Sequence, residues 1–152
     1  MQLQPGPPHS CVRGIGILRA FLIYHDKEVA KWVKQLTVDF TNWFLEEYGV
    51  EHQIRLYLYA AGSLRNGKNG DMGAAFFDVT NGKPHICVAV WWYFWRDAGA
   101  VRNREEARQD ILDSLAHELV HYNKWRRGIG RNHRGLQQTV DKMIRRFNEH
   151  ST

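Results

Sequence analysis

Cysteine is nearly missing from this chain. Cys11 and Cys87 are the only two among 152 residues, and their spacing is not that of metal ligands. That excludes a disulfide framework and a cysteine-built metal cluster. Cys87 lies in an apolar, strand-like run and reads as a buried thiol. A reducing cytosol suits both, so a cytoplasmic location is expected. Long apolar runs are missing too: none approaches the roughly 20 residues that span a bilayer, which excludes a membrane helix. The opening "MQLQPGPPHSCVRGIGILRAFLIYHD" has no basic leader, and Arg19 interrupts its apolar part, so a secretory signal is not expected. Residues 1–14 are expected to be loosely ordered, with "IGILRAFLIY" docking on the domain. No internal repeat, low-complexity tract or second hydrophobic unit is present. Residues 1–152 read as a single domain, long enough to bury a core without staples.

Patterning supplies the elements. From Asp26 to Tyr48 the residues Val29, Trp32, Val33, Leu36, Phe40, Trp43 and Phe44 recur at three and four, predicting an amphipathic helix closed by Gly49. "IRLYLY" alternates over Ile54 to Tyr59, as a strand does. "GSLRNGKNGDMG" reads as a loop without phosphate-loop spacing. "AAFFDV" and "HICVAV" flank "TNGKP", whose Asn-Gly predicts a hairpin. "WWYFWRDAGA" reads as an aromatic wall of the core. Asn103 and Glu106 form a capping-box-like start to a long helix that stops at Gly128 or Gly130. Asn132 is expected to cap a last helix with the stripe Leu136, Val140, Met143 and Phe147. The expected fold is α+β: an N-terminal helix, a three-stranded, mostly antiparallel sheet, and two further helices.

The long helix carries an anomaly. "HELVH" sets His117, Glu118 and His121 among Leu112, Leu115, Ala116, Leu119 and Val120. Buried polar groups without partners cost roughly 1–3 kcal/mol each, so these three need an answer. Residues four apart share a helix face, so both imidazoles can reach one metal ion. Glu118 lies about 100° round the helix, outside the ligand pair but within reach of a water beside it. This is the H-E-x-x-H arrangement of metal-assisted hydrolysis, with the glutamate as general base. A catalytic zinc takes three protein ligands. His133, three residues before Leu136 on the expected inward stripe, is the candidate third. Asp141 is the alternative, as ligand or as orienter of a ligating histidine. Tyr122 and Tyr93 are candidate hydrogen-bond donors to an oxyanion. His9, His25, His52, His85 and His150 are scattered and read as structural or solvated.

The net charge of +5 is unevenly spread: Lys124 to Arg146 holds eight basic residues against one acid. Within it Lys124, Arg126, Arg127, Arg131 and Arg134 are candidates for contacting nucleic acid. The competing reading is a solvated face near helix C-termini.

"LAHELVHYNKW" followed by "RNHRGLQQTVDKM" resembles the zincin metallopeptidases, among them the small SprT-like forms and the minimal zincins of phage and bacterial genomes. The matching positions are His117, Glu118, His121 and His133. Arg134 intervenes before Gly135, the gap after His121 is short, and no zinc ribbon accompanies the motif. The resemblance implies a small zincin-like domain holding one catalytic Zn²⁺ and acting as an endopeptidase on a peptide or protein. It also implies an edge strand beside the cleft with which an extended substrate pairs, "AAFFDV" or "HICVAV". The alternatives are a nucleic-acid-associated SprT-like protein and an inactive zinc-binding module.

Overall fold

Parallel pairing shapes the sheet. In the computed structural model, which describes residues 11–13, 20–66, 70, 72–90, 103–130 and 133–151, strand β2 (Phe21–His25) lies parallel to β3 (Ile54–Tyr59). Phe21 stands opposite Ile54 and His25 opposite Leu58. Helix α1 (Lys31–Tyr48) connects the two, because parallel neighbours need a crossover. β3 in turn runs parallel to β7 (Lys83–Ala89), from Arg55 opposite His85 to Tyr59 opposite Ala89. β1 (Cys11–Arg13) and β6 (Ala75–Thr80) close the two sides antiparallel, giving the order β1-β2-β3-β7-β6.

Among the described residues the fold is therefore α+β with three helices, as expected, but the sheet is five-stranded and mixed rather than three-stranded and mostly antiparallel. The missed strand lies in "IGILRAFLIY". It sits inside the sheet, so its apolar run barely alternates, and its parallel partner lies beyond a helix, so no turn marks the pairing. Within the stretch expected to be loose, Cys11–Arg13 form a strand. The loop "GSLRNGKNGDMG" contains a short ribbon, β4 (Leu64–Arg65) against β5 (Met72–Gly73). The Asn-Gly hairpin is present: Asn81 and Gly82 both take positive φ, 52° and 73°, between Thr80 and Lys83.

Helix α1 starts at Lys31, five residues later than the periodicity predicts. Asp26 is occupied elsewhere. Its N–H donates to Leu58 O at 3.0 Å, and its carboxylate accepts from Ala60 N–H at 2.8 Å. Those bonds fasten the end of β2 to the end of β3 and hold 26–30 as a turn. Helix α2 (Arg104–Arg126) begins as predicted, with Asn103 Oδ1 accepting from Glu106 N–H at 2.8 Å. Helix α3 (Leu136–His150) opens on Gly135, not on Asn132, which lies outside the described residues together with "WWYFWRDAGA" and Arg131.

One sheet face makes the core. Phe21, Ile23, Ile54, Leu56, Leu58, Phe77, Ile86 and Val88 pack with Val33, Phe40 and Phe44 of α1 and Ile111, Leu112, Leu115 and Leu119 of α2. α3 lies against the helices with Leu136, Val140, Met143, Ile144 and Phe147 inward. The Phe147 ring meets Phe40 at 5.0 Å and Trp43 at 5.7 Å. Arg146 pairs with Glu47 across the same junction. Among the described residues, no helix is long and apolar enough to cross a membrane.

Candidate metal centre

Two parts of the chain meet at one point. His117 and His121 come from consecutive turns of α2, and His133 from the segment ahead of α3. His133 is therefore not on the last helix, as its spacing to Leu136 suggested, but in the turn before it. Its carbonyl accepts from Leu136 N–H at 3.1 Å, a tight return that Gly135 permits with a left-handed φ of 69°. The turn at Gly128, also left-handed, ends α2 and lets the chain come back.

The three rings converge. Their centroids lie 4.8 Å (117 to 121), 5.0 Å (121 to 133) and 5.6 Å (117 to 133) apart. One ligand atom from each falls within 4.8 Å of the other two. Nε2 of His117 and Nε2 of His121 stand 3.2 Å apart. Two nitrogens bound to one tetrahedral zinc at about 2.05 Å would stand about 3.3 Å apart, so this pair fits such an ion. Burial holds the His117 imidazole below its ordinary pKa, and nearby His133 adds to that. Neutral imidazole is the form that binds metal. Burial is graded across the trio: His121 is buried, His117 half-buried and His133 exposed, so the point opens to solvent on the His133 side.

Glu118 is buried, 5% exposed, and its Oε2 stands 4.0 Å from His117 Nε2. The carboxylate thus lies beside the histidine cluster, on the next residue of the same helix turn. Its field reaches the Cys87 thiol, which is pushed up to about 12, mainly by burial, against a hydrogen bond from Tyr59 and with Asp78 and Glu118 adding to the rise. The half-buried Cys87 thiol is therefore protonated at neutral pH.

Asp141 stands apart from the three histidines. It is exposed on α3 and accepts from Gln137 Nε2 at 2.9 Å. Its charge is felt at Asp113, whose carboxyl is raised by burial first, then by Asp110 and Asp141. Tyr122 is fully buried, and its hydroxyl meets Glu51 N–H at 2.9 Å, His52 N–H at 3.2 Å and His52 Nδ1 at 3.1 Å. Tyr93 lies outside the described residues. In the basic cluster, Arg126 donates to Gly49 O at 3.0 Å and Tyr48 O at 3.2 Å, satisfying the C-terminal carbonyls of α1. Its guanidinium also lies 5.1 Å from the centre of the Tyr122 ring. Lys124 is half-buried, while Arg127 and Arg134 are exposed; Arg131 lies outside the described residues.

Sequence reading missed the links made by Tyr122, His52 and Arg126. A signal was there: Glu118, Tyr122 and Arg126 follow one another at four-residue steps and share one stripe of α2. Comparison with protein-family models, with curated proteins and with solved structures gives no match for this chain.

Proposed function

We propose that the chain is a zinc-dependent endopeptidase with a zincin-like layout. One observation carries the reading: three histidine rings converge on a single point, with a buried carboxylate 4.0 Å from one of their nitrogens. A pure metal clip has no use for Glu118, and a helix built only for packing has no use for His117, Glu118 or His121. His117, His121 and His133 would hold the ion. Zinc at such a site supplies Lewis acidity, lowering the pKa of water towards neutrality. Glu118 takes the proton from the attacking water and returns it to the leaving amine. Its burial keeps competing solvent away from that carboxylate. Among the described residues β6 is an outer strand of the sheet and β7 an inner one, which favours "AAFFDV" over "HICVAV" as the edge for an extended peptide.

Elemental analysis of the wild type, His133→Ala and Asp141→Ala, purified without chelator, tests the site. The expected result is one zinc per chain, lost in His133→Ala and kept in Asp141→Ala. The reverse pattern would make Asp141 the third ligand, and no metal in any of the three would sink the reading. Cleavage of an unfolded protein by the zinc-loaded chain, absent in Glu118→Gln, then separates a peptidase from an inactive zinc-binding module.

A further inference from the structure

We infer that Tyr122 and His52 form a positioning pair for the metal centre, fixing the roll of α2 so that His121 and Glu118 are aimed. This rests on the metal reading above.

Residue 122 lies about 100° round the helix from His121 and one full turn beyond Glu118. A small rotation of α2 about its axis moves all three together. Apolar packing resists such rotation weakly, because leucine against leucine tolerates a range of angles, whereas hydrogen bonds are directional. On the Tyr122 side the helix is held by polar contacts to one short segment, the link between α1 and β3. Tyr122 Oη faces Glu51 N–H, His52 N–H and His52 Nδ1, and Arg126 one turn later reaches Tyr48 O and Gly49 O.

Hydrogen-bond arithmetic makes the junction specific. A phenol oxygen has two acceptor positions and one proton. The two amide N–H groups fill both positions, so the proton goes to His52 Nδ1. His52 is thereby fixed as the tautomer protonated at Nε2, with its ring 4.6 Å from Trp125 and 5.8 Å from Tyr122. Each member is satisfied, and each satisfies the next. Phe77 of β6 closes the pocket at 6.4 Å from Tyr122 and 6.2 Å from Trp125. The stretch of α2 that bears the histidine pair is thus pinned to the α1–β3 link on one side while its histidines face the His133 turn on the other.

Positioning and mere stability give different readouts. The probe is Co²⁺, bound in place of zinc, whose visible absorption reports ligand geometry and whose affinity is measured by chelator competition. Tyr122→Phe keeps the ring and removes the hydroxyl. It should bind Co²⁺ about 10–100-fold more weakly, the usual cost of losing a group that orients a ligand, with an altered absorption envelope. His52→Ala should weaken binding less, since one of three bonds is lost. His52→Asn, whose amide oxygen can stand where Nδ1 stood, should restore the wild-type spectrum and affinity. A folded Tyr122→Phe with wild-type spectrum and affinity and only a lower Tm would overturn the proposal. So would equal behaviour of His52→Ala and His52→Asn, which decides the matter even if Tyr122→Phe does not fold. A wild-type chain that binds no Co²⁺ would instead remove the metal reading, and this one with it.

Discussion

Helices α2 and α3 pack side by side and are built on opposite plans. α3 is two-sided: Leu136, Val140, Met143, Ile144 and Phe147 are buried, and nearly every other position meets solvent. α2 is buried almost continuously from Leu115 to Tyr122, interrupted by half-buried His117, and two of those buried residues are Glu118 and His121. A helix whose purpose is packing needs one apolar stripe. A helix enclosed on several sides must match each of its sides to a different neighbour. α2 does so with Leu112, Leu115 and Leu119 in the core, Tyr122 and Arg126 on the α1–β3 link, and His117 and His121 towards the His133 turn. The polar side chains of the candidate site are concentrated where enclosure is greatest, and buried donors and carboxylates keep their places there.

The contrast predicts that the two helices separate activity from stability. The largest effect belongs to α2: Glu118→Gln should lower cleavage about 10²–10⁴-fold, the range for removing a general base, while zinc stays bound. Steady-state kinetics beside elemental analysis would show it, and unchanged cleavage would end the assignment of Glu118. The next effect belongs to α3. Phe147→Ala empties the space between Phe40 and Trp43 and should cost about 3–5 kcal/mol in urea unfolding. Metal stoichiometry per folded molecule should not change. Loss of zinc from folded Phe147→Ala would mean that the two helices are not separable in this way.

A smaller effect divides the helices by pH. Burial and His133 hold the folded-state pKa of His117 below its ordinary value near 6.5. Between the two pKa values the unfolded chain binds a proton that the folded chain refuses. The stability of the metal-free protein is therefore full above about pH 6.5 and falls as pH drops through 6.5 towards the folded pKa. His117→Gln, measured by urea midpoints across that window, should flatten the slope. An identical slope in both proteins would assign the pH dependence to other groups.

These plans were unequally legible in the sequence. α3 could be read from its stripe alone, though not its first residue, because a left-handed glycine start has no side-chain signature. α2 could be placed from Asn103 and Glu106, and its converging histidine pair from a four-residue spacing, since both are local rules. The spacing of His133 to Leu136 predicts a place on the last helix, whereas it stands in the turn before, close to His117 and His121. The sheet was half legible. The Asn81-Gly82 hairpin marks its own pairing, whereas β2 finds β3 through α1 with no turn to announce it. Arg126 shows the same limit at the site. Its bonds to Tyr48 O and Gly49 O join residues far apart in the chain, which no local pattern announces.

The sharpest use of the comparison is also the smallest in energy, because it sets two helix starts against each other. Asn103 starts α2 through its side chain, and Asn103→Ala should cost about 1 kcal/mol by orphaning Glu106 N–H. Gly135 starts α3 through its backbone. A Cβ there would meet nothing nearer than Gln138 Oε1 at 3.9 Å, so Gly135→Ala should cost only the strain of a left-handed alanine, about 1–2 kcal/mol. The two variants should thus be nearly matched in stability. They should differ at the metal. Asn103 lies more than three turns from His117, whereas Gly135 shapes the turn whose carbonyl at His133 meets Leu136 N–H. Relief of strain at residue 135 swings His133 away from the α2 pair, so Gly135→Ala should bind zinc more weakly and Asn103→Ala as the wild type does. Chelator competition on the two proteins decides it: equal zinc affinity would show that His133 either does not hold the metal or reaches it without help from Gly135.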